Sequence, residues 1–391
     1  MKLFCAADLH LGRVPSRLPS DLAVDPTELG PAAAWRTLVD ACVHEGADAL
    51  LLAGDVVDDP RDLYEAYADL EEGVRRLVGA GIPVLAVAGN HDVRVLPRLA
   101  ETIPGVRLLG DGGRWEATTV GGGPNAVRVV GWSFPSEQVD ASPLDDRLAA
   151  IVRAPGPSTT LGLLHADVGQ TASPYAPVRG SELSAIPVSA WLLGHVHVPG
   201  RFDEGARMGY LGSLSACDPG EAGRRGAWVV TTDAGELRFE HRALSPLRYE
   251  TVEVDLAGAT PETVAPRLIR AVRDRLADLV DAPGDAPGAR AGMRAGARRG
   301  GRPSCAWSPS GCVSRAASST RTRCARISRA RIPVSCASNT AACTPSFTTS
   351  TSAFDRRSTW PVWPKGATRS GSPPGRSRSS GEDPRQRCRR S

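Results

Sequence analysis

The chain of 391 residues carries 47 Lys and Arg against 43 Asp and Glu, a net charge of +4, and 41% of it is apolar. That average joins two unlike polymers: residues 1–285 hold 26 basic and 40 acidic residues, a net of −14, whereas residues 286–391 hold 21 and 3, a net of +18. No apolar run approaches the roughly 18 residues of a membrane span, and Met1 to Asp8 is too short an apolar start for a secretory signal, so a cytoplasmic protein is expected.

From the start to about residue 245, short apolar runs alternate with amphipathic stretches, the pattern of an α/β domain. Leu3 to Ala7 is a first strand. Residues 31–44 follow as a helix, with Pro31 near its start and Trp35, Leu38, Val39 and Cys42 at helical spacing. Ala49 to Ala53 is a buried strand, residues 62–79 a charged amphipathic helix, and Val84 to Ala88 a further strand. Trp115 to Val120 and Val127 to Trp132 flank a Gly-Gly-Gly-Pro-Asn turn and predict a hairpin. Leu161 to Leu164 and Trp191 to Leu193 are short strands. Residues 226–243 and 247–255 read as antiparallel strands, and residues 261–280, with Val264, Leu268, Val272 and Leu276 on one face, as a helix opening a second unit.

Beyond residue 285 the periodicity is lost. The segment has no Leu, no Tyr and only seven Ile, Val and Phe, too few to bury a core against the entropy of ordering the chain. A disordered basic arm for nucleic acid is one reading. An out-of-frame product fits better: apart from Lys2 and Lys365 every basic residue is Arg, as a GC-rich gene would give. Read one base upstream, Trp360-Pro361-Val362-Trp363-Pro364 becomes an ordinary helix-compatible stretch. The shift would fall between residues 282 and 300. Six of the nine cysteines lie in this segment without metal-ligand spacing, while Cys5, Cys42 and Cys217 read as small buried hydrophobes.

Polar clusters follow the strands: Asp8-Leu9-His10, Gly54-Asp55-Val56-Val57-Asp58, Gly89-Asn90-His91-Asp92, the lone His165, and Gly194-His195-Val196-His197. Five of the seven histidines belong to this set. Each cluster alone is commonplace, but all of them delivered from strand ends of an open sheet would converge where such sheets place their sites. Carboxylate, imidazole and amide donors without thiolates suit Mn²⁺, Fe²⁺ or Zn²⁺. Two such ions sharing a carboxylate would activate water and stabilise an in-line phosphoryl displacement.

On these motifs residues 1–245 resemble the calcineurin-like metallophosphoesterases. The resemblance implies a four-layer α/β/β/α sandwich, with Asp8, His10, Asp55 and His197 holding one metal and Asp55, Asn90, His165 and His195 a second. Mn²⁺ would be the first choice of ion. It implies that His91 stabilises the transition state or protonates the leaving oxygen, with Asp58 and Asp92 supporting the ligands or fixing turns. Asp8 to Gly12, Tyr175-Ala176-Pro177 and the Leu211-Gly212-Ser213-Leu214…Glu221-Ala222-Gly223 segment are similar to the SbcD-type DNA repair exonucleases. That likeness implies DNA as substrate, 3′-to-5′ exonuclease action, an SbcC-type coiled-coil ATPase partner and a homodimer. Residues 246–285 would be the start of an incomplete α/β cap, and residues 286–391 a low-order tail. Arg13 and Arg94 are candidates for phosphate contact, although solvated loop arginines are the blander reading. The charge of −14 counts against strong autonomous DNA binding. Two alternatives stay open: a phosphoesterase for small molecules or phosphoproteins, and an inactive scaffold from a damaged gene. Resequencing the coding DNA across residues 282–300 should reveal a shifted frame, and an unambiguous open frame there would exclude a sequencing error.

Overall fold

A computed structural model describes residues 1–58, 63–170, 172–202, 207–233, 235–281 and 329–337. The first half runs β1 (Lys2–Ala6), α1 (Pro31–Glu45), β2 (Ala49–Ala53), α2 (Leu63–Gly79), β3 (Val84–Val87), α3 (Leu96–Thr102) and β4 (Val106–Leu108). It continues through β5 (Glu116–Val120), β6 (Val127–Trp132), α4 (Asp146–Arg153), β7 (Thr159–His165), α5 (Gly180–Ala185), β8 (Ala190–Gly194) and β9 (Met208–Tyr210). A hairpin of β10 (Gly226–Asp233) and β11 (Glu236–Ala243) then returns to β1. The local chemistry sets the boundaries. Helix α1 has Pro31 in its first turn and stops at Gly46, whose left-handed φ of 62° lets its amide cap the Cys42 and Val43 carbonyls.

Two sheets result, of order β11-β10-β1-β2-β3-β4 and β5-β6-β7-β8-β9. β1 to β4 are mutually parallel, as are β6 to β9. Strand alternation divides the side chains between three cores. Leu3, Cys5, Leu51 and Ala53 meet Leu161, Leu163, Ala190 and Leu192 between the sheets. Phe4, Ala6, Leu50 and Leu52 pack against Trp35, Leu38, Leu70 and Val74 of α1 and α2. On the far side Trp132, Leu164, Trp191 and Leu193 receive Leu148 of α4 and Leu183 of α5. The architecture is therefore the expected four-layer α/β/β/α sandwich, and the apolar runs of β2, β7 and β8 are fully buried because both faces of each sheet are covered. Cys5, Cys42 and Cys217 are buried free thiols.

One expectation is corrected. Residues 226–243 form two strands, because Gly235 with φ 91° turns the chain between them. β12 (Leu247–Asp255) stands apart from their sheet: Leu244 and Ser245 donate to the Arg225 carbonyl, Pro246 follows, and the strand pairs with β13 (Arg329–Ala337). β13 lies within the segment expected to be low in order, at nine residues where Ala330, Ile332, Val334 and Cys336 alternate in sequence with Arg331, Pro333 and Ser335 at the period of a strand. The remainder of 286–391 lies outside the described residues. Helix α6 (Pro261–Asp281) lays Leu268 and Val272 on Val252 and Val254 of β12. Among the described residues no helix is long and apolar enough to cross a membrane.

Trp35 is fully buried between α1 and α2, and its indole N–H donates to the Asp69 carbonyl at 2.8 Å. Trp35→Ala should lower the unfolding free energy by about 3–5 kcal/mol, read from a urea melt. A loss below about 1 kcal/mol would show that this packing does not carry the helical layer.

Candidate metal centre

The parallel strands β1, β2, β3, β7 and β8 deliver their C-terminal turns to one edge of the sandwich. The first two turns are laced together: Asp8 N–H donates to Gly54 O at 3.0 Å, His10 N–H to Asp55 O at 3.0 Å and Leu11 N–H to Val56 O at 2.9 Å. Within them Asp8, His10 and Asp55 hold positive φ of 49°, 49° and 50°, and His195 after β8 reaches 102°. Such conformations cost of order 1–3 kcal/mol each for residues with a Cβ and persist where the surroundings over-determine them. Close approach supplies a further constraint. A Cβ on Gly54 or Gly194 would lie 2.6 or 2.7 Å from His165 Nδ1, so only glycine leaves room for that ring between the two turns.

The side chains converge in three overlapping groups whose donor atoms lie within 4.8 Å of one another: Asp8 with His10 and His197, Asp8 with Asp55 and His165, and His10 with Asp58 and His91. His10 Nε2 and His197 Nε2 are 3.1 Å apart. Behind them, His10 Nδ1 lies 2.7 Å from Asp58 Oδ1 and His197 Nδ1 2.5 Å from Glu221 Oε1. His165 donates its Nδ1–H to the Ala53 carbonyl at 3.0 Å, leaving Nε2 3.2 Å from Asn90 Oδ1 and 3.3 Å from Asp55 Oδ2. The His195 ring sits 5.3 Å from that of His165, and its backbone N–H donates to Asp8 at 3.0 Å. His91 is exposed, donates Nδ1–H to the Asp58 carbonyl at 3.0 Å and sets its ring edge-on to His10 at 5.1 Å. The donor set fits a cation: two imidazole Nε2 atoms 3.1 Å apart, each ring with a carboxylate beside its Nδ1, lie next to two buried aspartates.

The protonation pattern follows from burial and neighbouring charge. Burial raises Asp8, with His165 opposing. Burial alone would raise Asp55 too, but the His165 imidazole, with His10 and His91, holds it well below the usual carboxylate range. His165 moves the other way, to about 9: its burial is outweighed by the charges of Asp55 and Asp8. His195 is pushed down to about 4 by burial and the neighbouring His165. Asp92 is raised to about 7 by burial and the Asp55 charge, although it accepts Val56 N–H at 2.6 Å and Gly89 N–H at 2.7 Å. Through these bonds it ties the turn after β2 to the turn after β3.

Asp8, His10, Asp55, Asp58, Asn90, His91, His165, His195 and His197 thus lie together, with Asp92 beneath them. Arg94 does not join them as a free cation: it is exposed and pairs with Glu137 at 3.0 Å. Arg13 is half-buried, and its charge helps to lower Asp58 and Glu221. Two neighbours went unforeseen as parts of the site. Asp167 lies 4.0 Å from His195 Nε2, and Glu221 contacts His197 from 24 residues away. Glu221 was visible only as part of the Glu-x-G segment.

A strand-end cluster of aspartates, histidines and an asparagine in a four-layer sandwich defines the dinuclear metallophosphoesterase class. Residues 1–199 match the calcineurin-like phosphoesterase family, and the chain belongs to it, a family of hydrolases. Relatives include an uncharacterized metallophosphoesterase, YhaO, of Bacillus subtilis, 26% identical over 70% of this chain and 67% of that protein. The DNA double-strand break repair protein Mre11 of Haloferax volcanii is 31% identical over 58% of this chain, a match that spans only 49% of that relative's length. Among solved structures, a dimetal phosphatase from Danio rerio aligns at 14% identity with a TM-score of 0.41, covering 62% of this chain and 96% of that one.

Stripped of divalent ions, the protein should lose stability as pH rises. The His165 proton that offsets Asp55 and Asp8 is fully bound below the ordinary histidine value near 6.5 and is lost through about 9. A cation taking Nε2 must displace the same proton, so Mn²⁺ affinity should climb over this interval with proton release. Calorimetry in buffers of differing ionisation enthalpy measures this, and a pH-independent affinity without proton release would contradict it.

Proposed function

We propose that the chain is a Mn²⁺-dependent nuclease that hydrolyses DNA phosphodiester bonds with 3′-to-5′ exonuclease action, in DNA repair or recombination. The reading rests on the strand-end donor cluster, and the likeness to proteins described as Mre11 directs it toward DNA. In it, Asp8, His10, Asp55 and His197 hold one ion and Asp55, Asn90, His165 and His195 the other, with Asp55 shared. The ions, when bound, supply Lewis acidity that lowers the pKa of water and neutralises phosphate charge.

The chain's own residues do the rest. Asp58 and Glu221 each face an Nδ1, of His10 and His197, so the Nε2 atoms are the ones that stay free of protons. His91 donates its Nδ1–H to the Asp58 carbonyl, and as the imidazolium it would hold a second proton, on Nε2, to give to the leaving oxygen. Arg13, whose charge reaches Asp58 and Glu221, is the candidate for a phosphate contact, while the charge of −14 over residues 1–285 leaves little other attraction for a polyanion. Residues 246–285 would begin the cap that orients DNA, and an SbcC-type coiled-coil ATPase and a second copy of the chain would be the partners.

The same acidity favours a second reading, a phosphoesterase for small molecules, because a small ester needs no extended basic track. End-labelled duplex DNA and a generic phosphodiester, each incubated in Mn²⁺ with the wild type and His91→Ala, separate the two. The nuclease reading predicts shortening from 3′ ends and a drop of about 10²–10⁴-fold in kcat for His91→Ala with metal binding retained. Turnover of the small ester without DNA cleavage would overturn it. Metal binding without any turnover would point to an inactive scaffold.

A further inference from the structure

We infer that Glu221 is a positioning residue for His197, fixing the orientation and tautomer in which that ring meets a metal ion. Glu221 comes from the turn before β10, a segment to which the sequence assigns no chemistry of its own. Its Oε1 lies 2.5 Å from His197 Nδ1, and its Oε2 accepts the Cys217 backbone N–H at 2.6 Å. Both oxygens are committed, so the carboxylate cannot swing away, and with Nδ1–H donated to it the unprotonated nitrogen of His197 is Nε2. That atom faces His10 Nε2 across 3.1 Å. Carboxylates hydrogen-bonded behind metal-bound histidines fix ring orientation and raise ligand basicity.

The turn that carries Glu221 is itself anchored. Glu221 N–H donates to Asp218 O at 2.8 Å, Ser16 N–H to Cys217 O at 2.8 Å, and Ser16 Oγ–H to Asp218 Oδ2 at 2.9 Å. Gly223 N–H donates to Tyr249 O at 2.8 Å, and the Tyr249 hydroxyl to Ser16 O at 2.7 Å. Glu221 is thereby referenced to the loop that follows His10 and to strand β12.

The inference rests on the assignment of a cation to His10 and His197 and is independent of DNA as substrate. Its test is Mn²⁺ titration calorimetry on the metal-free full chain, as wild type, Glu221→Gln and Glu221→Ala, with melting temperature alongside. In Glu221→Gln the amide can accept from only one of the two N–H groups and turns its own NH₂ toward the other. We expect one of two wild-type sites to weaken by about 10–100-fold in both variants, with the other site and the melting temperature of the metal-free protein retained. Unchanged affinities at both sites would overturn the inference. So would parallel loss of both sites and of the melting temperature, the signature of a merely structural role. A wild type that binds two ions yet leaves DNA intact would remove the nuclease reading without touching this result.

Discussion

Two carboxylates taken out of water dominate this molecule. Asp8 and Asp55, 1% and 2% exposed, stand at the ends of adjacent parallel strands, where isolated negative charges would be costly. Their surroundings offset that cost: His165 at 3.3 Å from Asp55, the His91 N–H on Asp55 and the His195 N–H on Asp8. In the metal-free protein the raised His165 carries the compensating proton. A divalent cation would replace that proton with a larger charge, so the centre is built for an exchange of protons for metal.

The sandwich makes this concentration of charge tolerable. Its three apolar cores pay for strained turns at Asp8, His10, Asp55 and His195, and the glycines at 54 and 194 open the space into which His165 fits. A second ring of carboxylates, Asp58 and Glu221, backs the histidines and sets which nitrogen faces inward. The site is thus layered, with buried aspartates at the floor, imidazoles above them and the exposed His91 at the mouth.

Much of this was legible in the residues. An apolar strand followed at once by Asp-x-His, Gly-Asp or Gly-His-x-His signals both the strand and the edge on which its polar side chains emerge, and five such junctions marked the cluster. What escaped was non-local or short. The Glu221 contact joins residues 24 positions apart with no periodic signal, and the pairing of Arg94 with Glu137 depends on two loops meeting. Helices α3, α4 and α5, of 7, 8 and 6 residues, are too brief for periodicity to declare them. β13 rests on a nine-residue alternation inside a segment of otherwise alien composition.

The net charge of +4 gives no guide to function, because it cancels an acidic catalytic body against a basic tail. The functional account stands on the donor cluster. Anomalous diffraction at the manganese edge from Mn²⁺-soaked crystals tests it most directly. The account predicts two peaks about 3.5–4 Å apart, one against Asp8, His10 and His197, the other against Asn90, His165 and His195, with Asp55 between them. A single peak away from Asp55, or none, would contradict it.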